Sequence, residues 1–302
     1  MNTVAMLGQL FNGMSYSSIL LMMALGLAII FGLMGVINMA HGELMTAGAY
    51  ATYITQLILL KFGGAAAAAW TYVVAIPVAF AVAALLGLLL EWAVVRFLYG
   101  RPLETLLATW GVSLILQQAF RNIFGSNNVA VQTPGWLSGG LTLGELQLPY
   151  ARLYILALVV LVFAAVMFYL RLSRTGLQVR AAMQNRNTAA SFGISPRRID
   201  MFTFGLGAGV AGVAGVALSL VGSIGPTTGQ HYIVDAFMVV VLGGVGNLFG
   251  ALLGAFVIGE THSVLEFFTS STGAKVAVFA LIIVVLQLRP AGLFPSRNRA
   301  LD

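Results

Sequence analysis

The side chains able to do chemistry in this sequence are few, and they sit where ionisable groups are costly. His41, Glu43, Asp235, Glu260, His262 and Glu266 all lie in or beside long apolar runs. Ionisable residues at membrane depth are rare and mark solute pathways, proton relays or buried pairs. His262 and Glu266 are four apart and share a helix face, but two ligands without a third make a poor metal site. His41 and Glu43 suggest acid–base chemistry, yet no nucleophile with a partnered base accompanies them. The pattern therefore holds no catalytic set and no metal set. Interfacial caps and interhelical hydrogen bonds are the plainer reading of Glu260, His262 and Glu266. For His41 and Glu43 that reading stands level with a role in a polar pathway.

Glycines frame the two most informative places. Gly35-Val36-Ile37-Asn38-Met39-Ala40-His41-Gly42-Glu43 and Gly243-Gly244-Val245-Gly246-Asn247 each join two apolar segments through glycines and an asparagine. Asp235 precedes the second by about two helical turns. Broken helices expose backbone polar groups, which a membrane tolerates only against protein or a water-filled path, and transporters use such breaks to hold polar solutes. The expectation is that both breaks line a pathway, with Asn38, His41, Glu43, Gln117, Asp235, Gly243, Gly244 and Asn247 as its candidate residues.

The elements that must position these residues are apolar. Of 302 residues 60% are hydrophobic and 8% charged, far below the roughly 25% charge of soluble domains, so a normal water-facing surface cannot be built. Spanning helices need about 20 apolar residues. Candidate spans fall near 14–37, 42–60, 70–96, 103–123, 152–171, 198–222 and 274–289, and 231–268 is apolar but interrupted. The expected fold is an all-α polytopic membrane protein, a single transmembrane domain over 1–302. It has about eight transmembrane elements, with broken or re-entrant helices among them. Cysteine is absent, which excludes disulfides and thiolate metal sites. Met1 to Gly13 lacks the basic region of a cleavable signal peptide.

The net charge of +6 reads as orientation and not as nucleic-acid binding. Arg171, Arg174, Arg180, Arg186, Arg197 and Arg198 crowd 171–198 with no acidic residue among them, Arg96 and Arg101 flank another helix end, and Arg289, Arg297 and Arg299 lie at the C-terminus. All three groups fit the cytoplasmic side. The 124–151 loop and the N-terminus then face outward, and 231–268 must cross an even number of times or not at all. Between Gly176 and Pro196 a helix is expected over Leu177 to Phe192, stopped by Gly193 and Pro196. The segment is an orientation signal at least, and a helix for docking a partner at most. Within 202–222, Gly205 with Gly209, Ala208 with Gly212 and Ala211 with Gly215 make small-xxx-small steps that favour close helix approach. Gly207, Gly209 and Gly212 also match GxGxxG, but inside an apolar helix that match reads as packing and not as dinucleotide binding.

At these residues the sequence resembles the permease subunits of branched-chain amino-acid-type ABC importers. The likeness is carried by INMAHGE from Ile37, GVSLILQ from Gly111, GLQVRAA from Gly176, VLGGVGN from Val241 and RPAGLF from Arg289, over nearly the whole chain. FGLMGVINMAHGELM from Phe31, RPLETLLATWGVSLILQQ from Arg101, NNVAV from Asn127 and YIVDAFMVVVLGGVGNLFG from Tyr232 look most like the urea-type members. The resemblance implies a multi-pass protein of the bacterial inner membrane. It implies a second homologous permease subunit, two cytoplasmic ATPase subunits that use ATP, and a periplasmic solute-binding protein. This chain would bind no cofactor and, having no Walker A sequence, would not be an enzyme itself. The cytoplasmic coupling loop would span about 172–197. Arg180, Arg186, Ala189, Ala190, Gly193 and Pro196 are its candidate contact residues, although Ala189 to Gly193 lacks the leading Glu of fuller EAA-type loops.

The resemblance implies urea or a short amide as the substrate, and Asn38, Gln117, Gln118 and Asn247, which offer hydrogen bonds without a fixed countercharge, fit it loosely. A branched-chain amino acid is the alternative. An ATP-independent channel for a small neutral solute is the rival from another class, and it would have no need of the 171–198 loop.

Overall fold

Apolar content alone selects the helices that can cross a bilayer. In the computed structural model, which describes residues 3–143 and 146–294, six helices are long and apolar enough to do so. The chain runs α1 (Thr3–Met34), α2 (His41–Ala68), α3 (Thr71–Ala93), a single 3-10 turn (Val95–Phe97), α4 (Pro102–Phe124), α5 (Tyr150–Leu172), α6 (Arg174–Gln184), α7 (Arg186–Ser191), α8 (Pro196–Val221), α9 (Thr228–Gly243), α10 (Leu248–Phe268) and α11 (Ser271–Leu288). The six are α1, α3, α5, α8, α10 and α11, fewer than the about eight elements expected. Helix α2 is diluted by His41, Glu43, Gln56 and Lys61, and α4 by Glu104, Gln117, Gln118 and Arg121. Helix α9 has only 16 residues, about 24 Å at the helical rise, short of the roughly 30 Å hydrocarbon core.

Three local expectations are corrected. The chain is not all-α: between α4 and α5 a short antiparallel hairpin pairs β1 (Gly140–Leu143) with β2 (Leu146–Pro149). The first span stops at Met34, and 35–40 leaves helical structure, because Gly35 takes φ +65°. The expected helix over 177–192 is two helices. Asn185 interrupts it with an extended backbone, and its side chain caps α7 by accepting the Thr188 N–H at 2.9 Å. Pro196 does not end that helix but opens α8 as its first residue, where a missing N–H is harmless.

Helices α1 and α8 are the pillars. In each, 83% of the most apolar stretch is buried inside the chain, against 28% in α3 and α5 and 17% in α11, whose outer faces are left for lipid or partner. Small residues make the packing possible. A Cβ on Gly212 would lie 2.4 Å from the Ala79 carbonyl oxygen of α3, and one on Gly215 would lie 2.1 Å from the Met45 carbonyl oxygen of α2. The GxGxxG match is therefore a helix-packing face.

Most arginine-bearing ends gather on one side, Arg121 and Arg152 being the exceptions. Arg186 lies over the Tyr99 ring at 5.2 Å, Arg171 over Phe249 at 5.5 Å, and Leu293 N–H donates to the Leu242 carbonyl at 2.8 Å. Arg297 and Arg299 lie outside the described residues. At the opposite end Val129 pairs with Ile224, and Gln9 meets the Ser263 hydroxyl at 2.9 Å. By the positive-inside rule the first end is cytoplasmic and the second is external. Helix α9 runs from the Ile224 end to the Leu242 end, and α10 returns beside it.

Candidate functional site

The first break is a stretch of irregular backbone buried against protein. Asn38 is fully buried, and its Oδ1 accepts the Ala40 N–H at 3.0 Å, which turns the chain into α2. Met39 N–H donates to Thr109 Oγ1 at 3.0 Å, and Thr109 donates onward to the carbonyl of Thr105 at 2.7 Å. His41 Nε2 lies 3.2 Å from the Met23 carbonyl oxygen. That oxygen only accepts, so the proton of the neutral ring sits on Nε2.

One turn further, Glu43 Oε1 accepts from Ser113 Oγ at 3.1 Å and from Gln117 Nε2 at 2.9 Å. Glu43 is 1% exposed, and its Oε2 has no partner among the described residues. Thr105, Thr109, Ser113 and Gln117 recur every four residues, so α4 turns one polar stripe inward. Its other faces expose Leu103, Leu107, Leu114, Ile115 and Ile123. Sequence reasoning found Gln117 but missed the three hydroxyls, although the four-residue spacing was there to be read.

Candidate residues of the second break are elsewhere. Gly244 and Gly246 take φ +97° and +82°, backbone that favours glycine. Asn247 is used as a cap: Oδ1 accepts Gly250 N–H at 3.0 Å, and Nδ2 donates to the Phe294 carbonyl at 3.0 Å. Gly243 packs backbone-to-backbone on Gly250. This corner shares a cavity with Arg171, Arg180 and Met183 at the cytoplasmic end. The structure thus joins Glu43 to Gln117, places Asn38 and His41 in the same buried turn with His41 directed at α1, and sets Asn247 beside the arginine-rich segment.

Asp235 belongs to a third group. It accepts from Tyr16 OH at 3.0 Å and pairs with Lys275 Nζ at 3.3 Å, tying α1, α9 and α11 together. These partners line an external cavity of about 790 Å³ that also holds Arg152, His231, His262 and Glu266. Tyr16, Lys275 and Arg152 gave no signal in the sequence, since nothing local marks them.

At the cytoplasmic end α6 and α7 are fastened down. Ser173 Oγ accepts Gly176 N–H at 2.9 Å, Arg180 donates to the carbonyls of Leu170 and Arg171, and Arg186 pairs with Asp200 of α8. Tyr99 OH donates to Glu91 Oε1 at 3.1 Å. Burial first, then the Asp200 and Glu91 carboxylates, pushes the Tyr99 phenol well above its ordinary value, so it stays a donor. Ala189 is buried while Ala190 is exposed, and Gly193 turns the chain at φ +81°. Phe192, 82% exposed, projects from the segment with nothing among the described residues to cover it. An anchored helix pair bearing a bare aromatic side chain is suited to fit a groove on a partner.

Residues 9–286 match the family described as branched-chain amino acid transport system / permease component. The chain is 30% identical to the high-affinity branched-chain amino acid transport system permease protein LivH of Escherichia coli K12, over 95% of this chain and 94% of that protein. It is 30% identical to BraD of Pseudomonas aeruginosa, a permease protein of the same description, over 95% of each chain. With LivM of Escherichia coli K12 it shares 28% identity over 92% of this chain and 68% of LivM. No solved structure matches it.

Proposed function

This chain belongs to the branched-chain amino acid transport system permease family, and from that premise we propose that it is one of two related membrane-spanning subunits of an ATP-driven importer of branched-chain amino acids. The family match across residues 9–286 carries the reading. The expected nearness to urea-type permeases finds no counterpart in the relatives above, whose names specify branched-chain amino acids. The alternative substrate of the sequence reading is therefore the better one.

In this proposal a solute-binding protein delivers substrate to the external end, and two ATPase subunits engage α6 and α7. Movement of α7 passes to α8 through the Arg186–Asp200 pair. Helix α8 packs on α1, α2 and α3, so a push at the cytoplasmic face reaches the α2 segment that holds Glu43. An ATP-independent channel would need none of this. The exposed Phe192 and the fixed geometry around it favour the coupled importer.

Substrate class is tested by competition in vesicles carrying the complete transporter. Unlabelled leucine, isoleucine or valine is expected to suppress labelled leucine uptake, and a hundredfold excess of urea to leave it unchanged. Suppression by urea would sink the assignment. Coupling is tested by Phe192→Ala. The loss of one buried aromatic contact is expected to lower ATP-driven uptake by at least about tenfold, equivalent to ~1.4 kcal/mol. Membrane insertion is expected to be unchanged, because Phe192 is 82% exposed and so is not part of the packed core of the described residues. Wild-type uptake by the variant would rule the segment out as the coupling element.

A further inference from the structure

The external cavity is not used by the pathway cluster around Glu43, and its charges are unevenly committed. Asp235 and Lys275 neutralise each other at 3.3 Å. Arg152, half-buried at the start of α5, lines the cavity with no hydrogen bond or ion pair among the described residues. Glu266, 45% exposed by side chain, has one ionic contact, His262 Nδ1 at 3.7 Å, beyond hydrogen-bonding range. One guanidinium and one carboxylate are thus left facing the same space, and together they carry no net charge.

The wall between them is built and not merely open. His262 is 6% exposed and packs tilted against Tyr16, ring centroids 4.9 Å apart, so the side of the cavity that carries Glu266 is rigid. Ile19, Val221 and Phe267 supply apolar surface to the same cavity. Its volume of about 790 Å³ lies within the range of about 300–1,000 Å³ usual for small-molecule sites.

We infer that this cavity is a receiving site for a zwitterionic aliphatic α-amino acid, its carboxylate held by Arg152 and its ammonium by Glu266, with His262 and Tyr16 forming the wall beside Glu266. A guanidinium matches a carboxylate in shape and charge, and the apolar wall takes the side chain. The inference rests on the importer reading and adds to it a location on this subunit, outside the Glu43 cluster.

Equilibrium binding of labelled leucine to the full chain in lipid nanodiscs tests it. Saturable binding is expected. Leucinamide, which lacks the carboxylate, and N-acetylleucine, which lacks the ammonium, are each expected to compete at least tenfold more weakly than leucine, and urea not at all. Arg152→Gln and Glu266→Gln should each weaken leucine binding at least tenfold, Arg152→Lys should recover part of the loss, and Lys61→Gln, on α2 away from the cavity, should change nothing. Absence of saturable binding overturns the site, as does equal competition by leucine and leucinamide, or unchanged affinity in both variants. If the complete transporter still takes up leucine in such a case, the importer reading stands and only the location fails. If labelled leucine uptake is absent from the complete transporter, the importer reading itself fails.

Discussion

Gly215→Val is expected to leave almost no folded protein in the membrane. A Cβ at Gly215 meets the Met45 carbonyl oxygen at 2.1 Å and the Ala49 amide nitrogen at 2.5 Å, and both belong to the backbone of α2. Across the same crossing a Cβ on Gly48 would lie 2.1 Å from the Gly212 carbonyl oxygen, so neither helix can yield toward the other. Backbone cannot rotate away as a side chain can, and lipid gives no hydrophobic reward for separating helices and repacking them further apart. Overpacking usually costs about 1–3 kcal/mol, and this contact should sit at or above that range. In detergent, the surviving fraction should unfold about 10 °C lower, taking ~3 °C per kcal/mol for a chain of this size. Gly111→Ala provides the contrast. Nothing lies within 4 Å of a Cβ there, and alanine favours helix by about 1 kcal/mol over glycine. It should therefore unfold no lower than the parent. Equal yields and equal unfolding temperatures for Gly215→Val and the parent would show that the α2–α8 crossing is looser than described.

That crossing was legible because small residues at fixed steps have one dominant use inside an apolar helix. The break at 35–43 was legible for a similar reason: a glycine, an asparagine and two ionisable groups cannot sit in a continuous lipid-facing helix. Long-range pairings were not legible. Tyr16 meets Asp235 across 219 residues and Glu43 meets Ser113 across 70, and neither end carries a local mark of its partner. Asn38 and Asn247 looked alike in sequence because the same chemistry, a side-chain amide that can accept a backbone N–H, serves any place where a helix begins. Depth and company separate them. Asn38 is fully buried, whereas Asn247 is tied to Phe294 at the cytoplasmic corner. Six helices meet the length and composition of a span, fewer than the about eight expected, because α2 and α4 are diluted by polar residues on both faces: Glu43 and Gln117 are buried, whereas Lys61, Glu104, Gln118 and Arg121 are exposed.

Glu43 is where removal of a few atoms should have the second large effect. Glu43→Leu deletes the acceptor shared by Ser113 and Gln117, and each donor left unpaired in a buried site costs about 1–3 kcal/mol. The hydrogen bonds to Glu43 are the side-chain bonds that hold the α4 stripe to the start of α2, so this variant should lose both uptake and thermal stability. Glu43→Gln separates the two losses. A carboxamide oxygen can still accept from Ser113 and Gln117, and insertion and unfolding temperature should stay near those of the parent. The position of Oε2, however, becomes an NH2 that donates where the carboxylate offered an acceptor with no partner among the described residues. A buried acceptor left open in one state of a moving protein is expected to be filled in another, by solute, by water or by a shifted donor. Leucine uptake by Glu43→Gln should then fall on the order of tenfold, about 1.4 kcal/mol in the affected step. Full uptake with full stability in Glu43→Gln would mean that Glu43 is scaffold only, and that the moving solute never meets the polar stripe of α4.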